Sequence, residues 1–296
     1  MICSLCPRRC NAVRTENENK GGFCRSPLAV RLARAALHFW EEPVISGKQG
    51  SGTVFFSGCN LGCIYCQNFR ISQEGEGREI TPSQLADIFL RLRDRGVHNI
   101  ELVTPTHFLP LILDALDMSK DRLGIPVVYN SGGYERTETL RALEGYIDIY
   151  LPDVKYFSPD ISAMYSSAPD YFEYAFAAVK EMVRQTGRPR MDEDGIMQSG
   201  VIVRHMIIPS HRRDSEQILR ALSPLRDDLL LSLMSQYTPF YRAKEYHGLD
   251  RRLSTYEYEK VLEVVNEIGF EGYMQERSSA REEYTPDFSE PDLLLT

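Results

Sequence analysis

The chain has 296 residues, 43% hydrophobic and 26% charged, with 34 Lys plus Arg against 42 Asp plus Glu and a net charge of −8. This is ordinary globular composition, long enough for one large α/β domain or two small ones, and the acidic balance argues against a general nucleic-acid binder. No apolar run approaches the ~20 residues that span a bilayer, and Met1-Ile2-Cys3 leading into Pro7-Arg8-Arg9 lacks the apolar core of a secretory signal, so the expected location is the cytoplasm with no membrane partner.

Seven cysteines, an odd number, all fall within the first 66 residues. That pattern does not suit a disulfide framework, whereas thiolate metal ligands suit a reducing compartment. Residues 1–50 read as an irregular, metal-binding leader with turn signals at Gly21-Gly22, Gly47 and Gly50-Ser51-Gly52. Its Cys3, Cys6, Cys10 and Cys24 form a Cys-x2-Cys-x3-Cys-x13-Cys set, enough thiolates to close a second site around zinc or an auxiliary iron–sulfur cluster. The first 40 residues also carry seven Lys or Arg against Glu16 and Glu18. Such a stretch reads first as a solvated face and second as a dock for an acidic partner.

From residue 51 onward, apolar runs of strand length alternate with segments of helical period. Strands are predicted near 53–57, 98–103, 125–129, 147–151, 200–208 and 229–234. Helices are predicted near 82–95, 109–119, 135–144, 171–186, 214–222 and 255–268; the first carries Thr81 as cap, Pro82 in its first turn and Gln84 in capping-box position. Six strands each followed by a helix imply a parallel sheet with crossover connections, and six units are too few for a closed eight-fold barrel. Residues 51–275 form this body, and the polar, Ser-rich residues 276–296 read as a loosely packed C-terminal tail.

Directly after the first strand comes Ser57-Gly58-Cys59-Asn60-Leu61-Gly62-Cys63-Ile64-Tyr65-Cys66-Gln67-Asn68. Three thiolates at this spacing can wrap one [4Fe-4S] cube and leave its fourth iron without a protein ligand; zinc completed by a distant His, or plain buried cysteines, are the other readings of the same residues. The run resembles the Cys-x3-Cys-x2-Cys motif of the radical S-adenosylmethionine superfamily, including the aromatic Tyr65 before the last cysteine. The resemblance is nearest to pyruvate formate-lyase activating enzyme and its uncharacterised homologues. It implies an α/β fold, a partial (β/α)6 TIM-like barrel, with a [4Fe-4S] cluster on Cys59, Cys63 and Cys66 and S-adenosylmethionine as second cofactor.

The resemblance also places cofactor contacts at strand ends. Thr104-Pro105-Thr106-His107 stands where many members carry a Gly-Gly-Glu run toward the methionine amine, and it lacks that glutamate. Asn130-Ser131-Gly132-Gly133-Tyr134 stands where the activating enzymes have Asp-Thr-Asn-Gly, and a plain glycine turn is the alternative for it. Leu151-Pro152-Asp153-Val154-Lys155 is similar to their Asp-Leu-Lys, and Val203-Arg204-His205-Met206-Ile207-Ile208-Pro209 to a run whose Arg reaches the cofactor. Arg204 is the expected partner of the cofactor carboxylate, since a guanidinium fork matches it, with a structural salt bridge as alternative. Gln236 or Tyr237 is expected on the adenine side. Tyr65, Asn130, Ser131, Gly132, Asp153, Lys155, Arg204 and Gln236 are thus the candidate cofactor residues. His107, His205 and Tyr241 receive no catalytic role, because a satisfied structural histidine is the commoner case.

What the resemblance implies about activity is an oxidoreductase-type enzyme that generates a 5′-deoxyadenosyl radical to abstract a hydrogen atom. The first expectation for substrate is a glycyl radical enzyme or similar protein, with flavodoxin or ferredoxin as the kind of electron donor. A small molecule or peptide side chain is the alternative, and a non-catalytic iron–sulfur or zinc protein is the reading from another class.

Overall fold

The computed structural model describes residues 2–16, 18–275 and 288. Seven parallel strands lie side by side in chain order: Ser51–Phe56, Ile100–Val103, Val127–Ser131, Ile149–Pro152, Met197–Met206, Leu230–Met234 and Gly272–Met274. Helices Pro82–Asp94, Leu109–Leu123, Thr137–Arg141, Tyr171–Thr186, Arg212–Leu222 and Thr255–Ile268 fill the crossovers. Among the described residues the sheet runs from Gly272–Met274 at one edge to Arg78–Ile80 at the other without closing, so the fold is an open, partial (β/α)6 barrel.

The apolar pattern dictates this arrangement. All six residues of Ser51–Phe56 are buried, as a strand covered on both faces must be. Outside the sheet, Leu85, Phe89, Leu92, Ile112 and Leu116 present helix faces to Val54, Ile100 and Leu102. Each fully buried aliphatic or aromatic side chain contributes roughly 1.5–3 kcal/mol relative to exposure. Inside the sheet, Ile45 of the short helix Pro43–Ser46 packs with Val128, Ile149, Leu151, Met197 and Ile202 and plugs one end of the half-barrel. Thr81 caps Pro82–Asp94 in a complete capping box with Gln84, as the sequence predicts.

Several features depart from the sequence reading, among them a seventh parallel strand, Gly272–Met274, beyond the six predicted. Val30–His38, predicted as part of an irregular leader, is a strand that pairs antiparallel with Ser51–Phe56 and Arg78–Ile80. Its three alanines and interspersed Arg31 and Arg34 hide the alternation that identifies a strand. The helix predicted near 135–144 is confined to Thr137–Arg141, after which Ala142, Leu143 and Tyr146 each donate to the carbonyl three residues back and the chain tightens into turns. An additional helix, Pro159–Ser166, precedes Tyr171–Thr186. Before the sheet, Ile2–Cys3, Ala12–Arg14 and Asn19–Lys20 make a small antiparallel sheet of their own. Of the predicted tail, Phe288 lies edge-on to Phe55, with ring centroids 5.5 Å apart; the rest of 276–296 is outside the described residues.

Candidate functional site

The cysteine loop begins where Ser51–Phe56 ends. Gly58 and Gly62 hold φ of 88° and 83°, conformations that a side chain would strain, and these let the chain turn back on itself. Asn60 pins the loop to the strand end beyond Ser131 by donating its amide to Tyr134 O at 2.7 Å. Each sulfur has a donor or hydroxyl neighbour: Leu61 N donates to Cys59 Sγ at 3.4 Å, Ser166 Oγ donates to Cys63 Sγ at 2.9 Å, and Cys66 Sγ lies 3.4 Å from Ser72 Oγ. Burial pushes the Cys59 thiol up to about 12 and the Cys66 thiol up to about 11, with neighbouring Cys63 adding to both. Buried thiols of this kind hold their protons until a positive centre takes their place.

The three sulfurs open onto a cavity of about 450 Å³. The same cavity is lined by Tyr65, Asn130, Ser131, Gly132, Asp153, Lys155, Arg204 and Gln236, which meet the cysteine loop in one place, while Tyr237, the alternative to Gln236, lies outside the lining. Gly133 explains how the third and fourth parallel strands end so close together. A Cβ there would stand 2.0 Å from Asp153 O, and φ is 75°.

One buried polar network floors the cavity. Lys155 Nζ donates to Asp153 Oδ2 at 2.6 Å and Arg204 Nε to Asp153 Oδ1 at 3.0 Å. Arg204 also donates through Nη1 to Glu41 Oε2 at 3.0 Å and through Nη2 to Asn130 Oδ1 at 2.5 Å. Asn130 passes the network on to Glu101 at 2.7 Å, and Thr53 donates to the other Glu101 oxygen at 2.8 Å. Burial alone would raise the Asp153 carboxyl, but Lys155 and Arg204 outweigh it and hold it below the usual range. The Glu41 carboxyl is pushed up to about 7, by burial first and then by Glu101, against the opposing pull of Arg204. Three of the five guanidinium N–H groups of Arg204 are thus engaged by the protein, and Arg204 also lines the cavity.

Tyr65 lies on the cavity wall and shares a 2.6 Å hydrogen bond with the Tyr156 hydroxyl, which in turn lies 2.6 Å from Ser166 Oγ. The Tyr237 ring packs on Tyr65, with centroids 5.9 Å apart. Gln236 reaches the wall beside Met234, with Nε2 3.8 Å from its sulfur. His107 and His205 are buried away from the cavity. Burial lowers both to about 4, and they bond to Ser57 O at 2.7 Å and Val154 O at 2.6 Å as neutral rings. Tyr241 stacks on Phe69 at 4.9 Å, outside the cavity lining.

Residues that the sequence reading did not select are Glu41 and Glu42, just after Val30–His38, and Glu101 within an apolar strand. A charged residue in the middle of Ile-Glu-Leu-Val was the available signal for Glu101; Glu41 and Glu42 reach the cavity only because the unrecognised strand carries them there.

The donor set fits an iron–sulfur cluster. Three thiols from one loop share a cavity mouth with N–H and O–H groups around their sulfurs, which is how such clusters are held and tuned. Among the described residues no group of three or more His, Cys, Asp or Glu side chains is arranged to hold a single metal ion, in this loop or in the leader. The leader cysteines are all free thiols. Burial pushes the Cys6 thiol up to about 12, with Glu135, Cys24 and Cys3 adding to the rise. Glu135 is buried, accepts from Thr106 Oγ1 at 2.7 Å, and leaves Oε2 without a partner.

An open (β/α)6 barrel whose first strand delivers three cysteines to a polar cavity defines the radical S-adenosylmethionine class. Residues 53–197 match the family described as "Radical SAM superfamily". The chain is 32% identical over 279 residues to uncharacterized protein MJ0674 of Methanocaldococcus jannaschii, spanning 91% of this chain and 75% of that one. A second relative from the same organism, uncharacterized protein MJ0808, is 24% identical over 244 residues, 77% of this chain and 66% of its own. The chain therefore belongs to the radical S-adenosylmethionine superfamily, and membership implies an enzyme that uses S-adenosylmethionine and a [4Fe-4S] cluster. Among solved structures, Streptococcus suis SuiB bound to S-adenosylmethionine matches 79% of this chain at 11% identity and a TM-score of 0.46. SuiB bound to precursor peptide SuiA matches 74% at 9% identity and 0.49. The chain spans about half the length of those two solved chains, 48% and 46%. Among the described residues no helix is long and apolar enough to cross a membrane.

Proposed function

We propose that Cys59, Cys63 and Cys66 hold the [4Fe-4S] cluster and that S-adenosylmethionine occupies the cavity beside it, for hydrogen-atom abstraction from a protein substrate such as a glycyl radical enzyme. The observation that carries this reading is the meeting of the cysteine loop and four strand ends in one cavity. When bound, the reduced cluster and the sulfonium cofactor together supply a 5′-deoxyadenosyl radical.

The chain's own residues seat and shield that chemistry. The two remaining N–H groups of Arg204 suit a carboxylate, while Asp153 holds the guanidinium and the Lys155 ammonium in place. The carboxyls of Glu41 and Glu42, which line the same cavity, suit an ammonium group. Tyr65, backed by the Tyr237 ring, offers an apolar wall for an aromatic ring. The protein substrate is inferred from the likeness of the Asp153-Val154-Lys155 and Arg204 strand ends to activating enzymes, and flavodoxin or ferredoxin is the corresponding kind of electron donor. The leader thiols Cys3, Cys6, Cys10 and Cys24 are proposed to take a second metal centre.

The test is anaerobic reconstitution with iron and sulfide, reduction in the presence of S-adenosylmethionine, and assay of 5′-deoxyadenosine, with iron and zinc counted in the same sample. Product formation that disappears in Cys59→Ala, Cys63→Ala and Cys66→Ala is the expected result. A fully active variant of any of the three refutes the assignment. Cofactor cleavage with no glycyl radical on a purified partner enzyme moves the substrate to a small molecule or a peptide side chain.

A further inference from the structure

Arg8 lies between Cys6 and Cys10, and its guanidinium crosses from the leader to the cysteine loop. Its Nε donates to Asn60 O at 2.8 Å and its Nη2 to Leu61 O at 3.0 Å. Further bonds run from Nη2 to Ser166 O at 2.7 Å and from Nη1 to Ser167 O. The guanidinium carbon stands 3.7 Å from the centroid of the Phe23 ring, and Phe23 immediately precedes Cys24.

These contacts fix the peptides that matter for Cys59. In a planar trans peptide the C=O and the following N–H point in opposite directions. The Asn60 and Leu61 carbonyls are turned toward Arg8, so the N–H groups of Leu61 and Gly62 are turned the other way, and that of Leu61 donates to the Cys59 sulfur at 3.4 Å. Arg8 also bonds the carbonyl of Ser166, whose hydroxyl donates to Cys63 Sγ. The leader closes on the loop from two further points. A Cβ on Gly62 would stand 3.2 Å from the Phe23 ring, and one on Gly58 would stand 2.2 Å from Ser26 Oγ and 2.9 Å from Cys24 O.

We propose that Arg8 is a positioning residue for the cluster, setting its reduction potential through the Leu61 N–H aimed at Cys59, the Ser166 hydroxyl aimed at Cys63, and its own positive charge. The leader turns that carry Cys6, Cys10 and Cys24 deliver Arg8 and Phe23 to the loop. Hydrogen bonds to cluster sulfurs and nearby positive charge both stabilise the extra electron, so both raise the potential. The inference rests on the assignment of the cluster to Cys59, Cys63 and Cys66.

The experiment is a potentiometric titration, followed by electron paramagnetic resonance, of the reconstituted full chain as wild type, Arg8→Gln and Arg8→Lys. In Arg8→Gln the midpoint moves to more negative potential, leaving about tenfold less reduced cluster at a fixed reductant potential, or about 59 mV for a one-electron couple. Arg8→Lys, which keeps the charge and loses the fork, falls between. A wild-type midpoint in cluster-loaded Arg8→Gln overturns the proposal; where that variant holds no cluster, a wild-type midpoint in Arg8→Lys overturns it. If Cys59→Ala/Cys63→Ala/Cys66→Ala protein keeps its full iron and the same resonance signal, the cluster assignment fails, and the inference with it.

Discussion

Ser166 donates its hydroxyl to the sulfur of Cys63 at 2.9 Å while accepting from the Tyr156 hydroxyl at 2.6 Å. Tyr65 extends the same chain, so four buried polar groups from three separate segments depend on one another. Removing the middle of such a chain strands its neighbours. Ser166→Ala is expected to cost about 1–3 kcal/mol in urea denaturation, and Tyr156→Phe a similar amount. The double variant should cost at least about 0.5 kcal/mol less than the sum of the singles, because the second change removes a bond already broken. Strict additivity would show that the chain does not act as a unit.

The Asp153 carboxylate is the hinge of the cavity floor, facing Lys155 on one oxygen and Arg204 on the other. Asp153→Asn leaves two buried cations without their shared counter-charge, a loss on the order of 3–5 kcal/mol. Asp153→Asn/Lys155→Met should recover part of that loss by removing one of the stranded charges. Denaturation curves of the two variants decide the point: if the double variant is no more stable than Asp153→Asn, packing rather than charge compensation sets the cost.

Much of this was legible in the sequence because the relevant signals are local. The six apolar runs, the capping box at Thr81 and the Gly58-Cys59 turn each announce themselves within a few residues, and a sequentially wound sheet needs nothing more to fix its order. Glu41 and Glu42 were not legible, since their place depends on an alanine-rich antiparallel strand that registers against Ser51–Phe56 over a distance no short window spans. Arg8 escaped for a similar reason. Its partners Asn60 and Ser166 lie 52 and 158 residues away, and all its bonds to them are to backbone carbonyls, which carry no residue signature.

His205 and His107 make the fold sensitive to acid. Their folded-state values near 4 lie below the ordinary 6.5, so between those limits the unfolded chain binds protons that the folded chain refuses. Stability therefore rises with pH across this window: it is lost as pH falls from about 6.5 toward 4 and is level above. His205→Asn keeps a donor in reach of Val154 O and cannot titrate. Its stability, measured by urea denaturation at pH 5 and pH 7, should fall less than that of the wild type, with a difference of up to ~2 kcal/mol. Equal losses in the two proteins would mean that His205 already takes up its proton in the folded state.

Gly133 offers the sharpest test of how the cavity is built. It sits at the end of Val127–Ser131 with φ of 75°, and an added Cβ would meet the Asp153 carbonyl oxygen at 2.0 Å, a backbone atom that a rotamer change cannot move. Gly133→Ala must therefore push the two strand ends apart, and Asp153 N, which donates to Ser131 O at 2.9 Å, moves with them. Left-handed strain together with the clash should cost about 2–4 kcal/mol. The neighbouring Gly132→Ala is a control of another kind, since its Cβ would meet only the Leu61 side chain, at 2.7 Å, and Lys155 Cε, at 3.8 Å, both of which can rotate away. Thermal unfolding of the pair should show a large loss for Gly133→Ala and a small one for Gly132→Ala. Comparable losses would mean that the contact between the third and fourth strand ends is not what fixes the spacing of Asn130 and Asp153 around Arg204.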